Sequence, residues 1–261
     1  MTSSLRIAVL AAGLAVSAMA SPAPEPRQIH VAVVGDSLAY GAGDEEKKGI
    51  AGRLEAELRA LGIDSVVTTK LGTTGATTRD FGFVLSQPKT RSELASADAF
   101  VLSIGANDLR EAFLGGRAFG SPIDIVDKVL RDIAGTVADL HRINPRARVL
   151  LLGGYTPIPE ERVALFLEPI IALWDAALIL QFVDDPLVSV VRLSDILDRP
   201  ERLSTLDSFH PGSEAYQKAA RRIAGLLAAD PLSVEGKAAD ASRLQKPPVV
   251  NQDKKRGTSL E

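Results

Sequence analysis

The sequence predicts a three-layer α/β/α domain, a parallel sheet with helices on both faces. Three observations predict it. Five short apolar runs alternate with segments of helical period along the chain. Those runs are nearly continuous aliphatic strings, as strands buried on both sides are. The segments between them repeat apolar residues every three or four positions.

The first strand is IHVAVV, residues 29–34, stopped by Gly35. GIAGRLEAELRALG follows, with Ile50, Leu54, Leu58 and Leu61 on one helical face and Gly62 as a stop. SVVTT is the second strand, and ADAFVLSIG, running into Gly105, is the third. A long helix spans 123–143 and ends at Asn144-Pro145. RVLLLGG is the fourth strand. Residues 160–182 form a helix that Pro169 must kink or interrupt. VSVVRL is the fifth strand, and SEAYQKAARRIAGLLAA is the last helix, with Ser213 placed to cap it.

The two ends differ from this domain. After Arg6, IAVLAAGLAVSAMA is an apolar stretch that closes on Ala18-Met19-Ala20, the layout of a secretory signal peptide over 1–20. It is shorter than the roughly 20 residues a membrane span needs. An exported chain, secreted or periplasmic, with no membrane span after processing is therefore expected. Residues 21–28 form a proline-rich linker, 29–231 the domain, and 232–261 a polar, mildly basic tail expected to be disordered.

A net charge of −3 gives no basic field for nucleic acid. The absence of cysteine excludes disulfides, a thiol nucleophile and thiolate metal sites. Asp44, Glu45 and Glu46 cluster, but no second histidine is placed to join them, and a solvated turn explains them. No metal or cofactor is expected. The pattern carries no signature of an oligomeric state.

In a parallel sheet, functional groups gather beyond the carboxyl ends of the strands. Four loops there carry chemistry. Gly35-Asp36-Ser37-Leu38 follows the first strand and lifts a hydroxyl to the rim. LGTTGATT follows the second, with Gly72 and Gly75 freeing backbone N–H groups. Gly105-Ala106-Asn107-Asp108 follows the third and offers an amide donor that never ionises. Asp207-Ser208-Phe209-His210 precedes the last helix and sets an acid three residues before an imidazole. Of three histidines, His30 lies in a strand and His141 on a helix, so only His210 stands beside an acid in a rim loop. Each string alone also fits an ordinary turn. Together they supply a nucleophile, oxyanion donors, a base and an orienting acid.

The four blocks GDSL (35–38), the glycine of TTGAT (75), GAND (105–108) and DSFH (207–210), in this order, resemble those of the SGNH (GDSL-type) hydrolases. The resemblance spans about residues 29–230. It implies a flavodoxin-like five-stranded parallel sheet and a serine ester hydrolase acting on a lipid, thioester, acetylated-sugar or other small ester. It implies Ser37 as nucleophile, His210 as base and Asp207 as its partner. The oxyanion hole would combine the N–H groups of Ser37 and Gly75 with the Asn107 amide. The sequence departs from the family at Ala39, where threonine is common, and at Lys70 and Leu71, where an asparagine often stands. Two other readings remain open: an inactive binding module of this fold, and an α/β-hydrolase, which shares the order Ser, Asp, His. Substrate choice is expected from rim loops 76–92, 109–122 and 155–170, with Phe113, Leu114 and Phe119 as a pocket wall or as core.

Overall fold

The structure is a computed structural model that describes residues 28–114, 121–157 and 161–229. The expected signal peptide, most of the linker, the tail and Phe119 lie outside the described residues.

Five parallel strands form one sheet: β1 (Gln28–Gly35), β2 (Ser65–Gly72), β3 (Ala99–Ser103), β4 (Arg148–Leu152) and β5 (Val188–Val191). Their spatial order is β2-β1-β3-β4-β5. The chain moves outward one way from β1 to β2, then crosses back and moves the other way through β3, β4 and β5. The gap between β1 and β3 is the point where such sheets open a crevice.

Alternation along each strand divides the core in two. Val31 and Val33 of β1, Val101 of β3 and Leu150 of β4 point to one face. There α2 (Ala51–Ala60) and α8 (Ser213–Ala228) cover them, together with the short α1 (Ser37–Tyr40). Ala32, Val34, Phe100, Leu102, Val149 and Leu151 point to the other face. That face is covered by α3 (Thr78–Ser86), α4 (Pro88–Leu94), α6 (Pro122–Ile143) and α7 (Glu161–Gln181). The five strands, the three-layer arrangement and the long helices follow the sequence pattern.

Four details differ from it. Residues 76–92, read as a loop, hold α3 and α4, and Phe113 lies on a further helix, α5 (Ala106–Leu114). The capping box at Thr77 and Asp80 starts α3 locally. The helix α7 runs unbroken through Pro169. Gly212 rather than Ser213 stands at the cap position of α8, without a side-chain cap, and the Ser213 hydroxyl is used elsewhere.

Register aligns the carboxyl ends. Gly35 pairs with Gly72 on one side and with Ser103 on the other. Backbone approach there is close: a Cβ at Gly35, whose φ is +121°, would lie 1.9 Å from the Ser103 carbonyl oxygen. Only glycine can end β1 at this place.

Candidate active site

Ser37 is the first residue of α1, directly beyond that glycine, and is 8% exposed. Asp36 caps the helix, accepting from Leu38 N at 3.1 Å. It also accepts from Ser103 Oγ at 2.6 Å, while its own N–H donates to the Ser103 carbonyl at 2.8 Å. Two of these hydrogen bonds fix the backbone beside Ser37 to β3, and the third caps α1. Burial raises the Asp36 carboxyl to about 6, against the pull of its two donors and of His210.

The loops after β2 and β3 are tied to each other. Asn107, in the first turn of α5, donates Nδ2 to the Ala76 carbonyl at 3.0 Å. Its amide has a second N–H to offer. Asp108 accepts from Thr78 N at 3.0 and 3.2 Å and from Thr78 Oγ1 at 2.6 Å, at the start of α3. Burial raises the Asp108 carboxyl despite these bonds. Asn107 is thereby held next to the turn that contains Gly75, where a Cβ would meet nothing within 4 Å.

The fourth loop is a compact knot. Asp207 Oδ2 lies 2.7 Å from His210 Nδ1. Its Oδ1 accepts from the backbone N–H groups of Phe209 and His210, each at 2.9 Å. Burial alone would raise the Asp207 carboxyl, but the His210 ring and these two N–H donors outweigh it and hold it low. With Nδ1 engaged, Nε2 is the ring nitrogen left to exchange a proton. Ser208 adopts φ +52°, uncommon outside glycine, to bring the acid and imidazole together. Ser204 N donates to the His210 carbonyl at 2.7 Å, and Tyr155 Oη donates to the Phe209 carbonyl at 3.2 Å. Burial raises the Tyr155 phenol, which keeps it a donor.

The turn after Ser37 grips this knot. A Cβ at Gly43 (φ +82°) would fall 2.5 Å from His210 Cβ. Tyr216 Oη, from α8, donates to the Ala42 carbonyl at 2.7 Å. Glu45 accepts from Thr205 N at 2.9 Å with one oxygen and from Ser213 N at 2.8 Å with the other. Asp44 is buried, paired through both oxygens with Arg53 of α2, and accepts from Ser213 Oγ at 2.7 Å. Burial pulls the Asp44 and Glu45 carboxyls upward, yet their donors win. Asp44 is held far below the usual range and Glu45 down to about 2. The turn is therefore not a merely solvated one. Asp44 and Glu45 join the segment that follows Ser37 to the segment that carries His210. Thr205 lies 160 residues beyond Glu45 and Ser213 lies 169 beyond Asp44, so no local pattern marked them.

The two histidines read as uninvolved lie away from these loops. His30 is within β1 with its ring against Ser96 Oγ and Thr69 Oγ1, and His141 is on α6 with Asp185 at 3.8 Å. Ser37 and Asn107 lie in the first turns of α1 and α5, and Gly75, Asp207 and His210 in loops, all in connections that leave the carboxyl ends of strands.

Known proteins share both sequence and fold with this chain. The family model described as GDSL-like lipase/acylhydrolase matches residues 33–218. YpmR of Bacillus subtilis (strain 168), an uncharacterized protein, is 24% identical over 205 residues, 75% of this chain and 80% of its own. A lipase, Lip_vut3, from a goat rumen metagenome superposes with a TM-score of 0.64 at 19% identity, covering 76% of this chain and 97% of its own. A catalytic mutant of Axe2, an acetylxylan esterase from Geobacillus stearothermophilus, gives a TM-score of 0.56 at 13% identity, covering 76% and 93%. A match from the end of β1 into α8 takes in every loop of the rim, and the chain belongs to the GDSL-like lipase/acylhydrolase (SGNH) family.

Proposed function

We propose that the protein is an exported serine ester hydrolase that cleaves a carboxylic ester through an acyl-enzyme on Ser37. The observation that carries this reading is the Asp207–His210 pair at 2.7 Å, in a loop packed against the turn that follows Ser37. Such a pair leaves the second imidazole nitrogen free to take a proton, as nucleophilic catalysis requires. Family membership supports ester substrates. The apolar segment before Ala18-Met19-Ala20 supports export.

The steps follow from the chain's own groups. His210 Nε2 takes the Ser37 proton as Oγ attacks the ester carbonyl. The carbonyl oxygen becomes an oxyanion, held by the N–H groups of Ser37 and Gly75 and the second N–H of Asn107. Collapse expels the alcohol, which leaves with the proton from His210. Water, deprotonated by the same nitrogen, then attacks the acyl-enzyme, and Ser37 regains its proton as the acid departs. Asp207 stays ionised throughout, orienting the ring and stabilising its charged form.

Phe209 meets the His210 ring edge-on, with ring centroids 5.0 Å apart, and is 45% exposed. This apolar surface beside the imidazole supports an ester with an apolar acyl or alcohol group. Fluorophosphonate labelling tests the reading. Wild-type protein is expected to label at one site and to hydrolyse nitrophenyl esters, and Ser37→Ala to do neither. Labelling that persists in Ser37→Ala would overturn it and favour another site. A folded wild type that neither labels nor hydrolyses would favour an inactive binding module.

A further inference from the structure

Three tyrosines stand in the chain, and two of them reach the candidate site from the core. Tyr216, near the start of α8, is 1% exposed, with its ring in the cluster between α8, α2 and the sheet. Tyr155 follows β4 by three residues and packs against the same cluster. The N–H of Gly154 beside it donates to Asp175 of α7 at 2.8 Å, which fixes the chain where Tyr155 leaves the sheet. Tyrosine suits such places: its ring buries like an apolar side chain, and its hydroxyl must then find a partner.

Each hydroxyl donates to the carbonyl of a residue that is itself bonded to the proposed triad. Tyr216 Oη donates to Ala42 at 2.7 Å, and Ala42 gives its own N–H to the Ser37 carbonyl at 2.9 Å. Gly43, next in the chain, is the residue whose Cβ would fall 2.5 Å from His210 Cβ. Tyr155 Oη donates to the Phe209 carbonyl at 3.2 Å. That carbonyl belongs to the peptide whose N–H, on His210, donates to Asp207 Oδ1 at 2.9 Å. One peptide of the base's loop is thus held at both ends. One phenol holds the turn of the nucleophile, and the other holds the loop of the base.

We propose, on the reading of Ser37 as nucleophile and His210 as base, that Tyr155 and Tyr216 are positioning residues for acyl transfer, their hydroxyls fixing the Ser37 turn and the His210 loop at the separation proton transfer needs. That transfer requires the two reacting atoms within about 2.6–3.2 Å of each other. Ala42, Gly43 and the residues around His210 lie outside helix and strand, so no ladder of hydrogen bonds holds them. The two rings are rooted in the close-packed core, and their hydroxyls carry its rigidity to both segments. Asp44 and Glu45 join the same two segments through Ser213 and Thr205, so the phenols and the carboxylates act on one joint. Neither phenol serves as an acid or a base. Its single proton is committed to a carbonyl. Burial, with the carboxylates of Asp36 and Asp207 nearby, raises both phenols well above their ordinary value. Both therefore remain donors across the neutral range.

Tyr155→Phe and Tyr216→Phe each remove one oxygen and keep the ring in the core. With nitrophenyl acetate as substrate, each is expected to lower kcat about tenfold, less than the roughly hundredfold of a full ångström displacement. KM is expected to stay within about twofold, since no substrate contact is lost. Labelling of Ser37 by a fluorophosphonate, located by mass spectrometry, should slow by the same factor as kcat. Tyr40→Phe, at the third tyrosine, which is 53% exposed with its ring beside Lys70, should match wild type in all three. Assays run well below each variant's unfolding midpoint keep lost stability out of the comparison. Wild-type kcat in either buried variant under those conditions would overturn the proposal for that residue, and a change confined to KM would do the same. A folded wild type that leaves Ser37 unlabelled would overturn the hydrolase reading itself and this proposal with it.

Discussion

Glu45 and Ser213 meet across the rim: the carboxylate follows the turn after Ser37, and it accepts the N–H (2.8 Å) of the first residue of α8, whose hydroxyl lies 2.7 Å from both Glu45 and Asp44 and shares its one proton between them. The other Glu45 oxygen binds Thr205 N, so one side chain spans the base and the return of the His210 loop. Glu45→Ala should lower kcat at least tenfold with KM nearly unchanged, because the imidazole is displaced while the substrate wall stays. Glu45→Gln, which keeps one acceptor, should recover part of the loss. Steady-state kinetics on a nitrophenyl ester separate the two. A loss confined to KM would show that Glu45 shapes the pocket instead.

Gly43 faces the same imidazole. A methyl there would enter the space of His210 Cβ and also strain a backbone at φ +82°. Gly43→Ala should therefore cost roughly a hundredfold in kcat, the scale of an ångström displacement of a reacting group. Thermal unfolding should fall as well, since φ above zero disfavours alanine. Retained full activity would mean the loop yields without moving the ring.

Asn107 is tied to Ala76 through one N–H of its amide, which has a second N–H to offer. Asn107→Ala should lower kcat about 10²–10³-fold, the usual effect of losing one oxyanion donor. KM should change little, because the bond forms only as charge appears. An unaltered kcat would remove Asn107 from the site.

Asp36 titrates within an accessible window. Its folded value, about 6, lies above the unfolded 3.8, so the folded protein binds the proton more tightly. Its contribution to stability therefore falls as pH rises from about 4 through 6, the direction linkage requires when the native state holds more protons. Glu45 and Asp207, held low, act in the opposite sense: their stabilisation is present above about pH 4 and is lost as the solution is acidified. Urea unfolding of wild type and Asp36→Asn at pH 4 to 7 checks this. The difference between them should vary with pH across 4–6 and level off above. A pH-independent difference would show that Asp36 does not change protonation there.

The Asp44–Arg53 pair is buried at both ends, with side-chain exposures of 0% and 4%. Arg53→Ala would leave the buried Asp44 carboxylate without its counter-charge and should destabilise by about 3 kcal/mol or more. Arg53→Met, which fills the space, should not restore it while Asp44 remains. Denaturant unfolding measures both. A change under 1 kcal/mol would mean that Ser213 and the turn N–H groups alone satisfy Asp44.

The sequence determined the layers and the rim. Strand and helix periods are local properties, so the alternation of β1 to β5 with the long helices was visible in residue spacing alone. Gly35, Asn107 and the Asp207–His210 pair were legible for the same reason, since each block is a short string, the first two at the end of a strand and the last just before the final helix. The tertiary structure decided what lies far apart in sequence. Asp44 and Glu45 read as a solvated turn because Arg53, Thr205 and Ser213 reach them only once α2, α8 and the His210 loop have packed. The short α3, α4 and α5 carry too few turns for their period to stand out, and packing on the sheet completes them. Spacing also could not tell which side of α7 is covered. Its residues are apolar all round, and one side stays exposed because β5 is the last strand, with no further layer of this chain among the described residues to bury it.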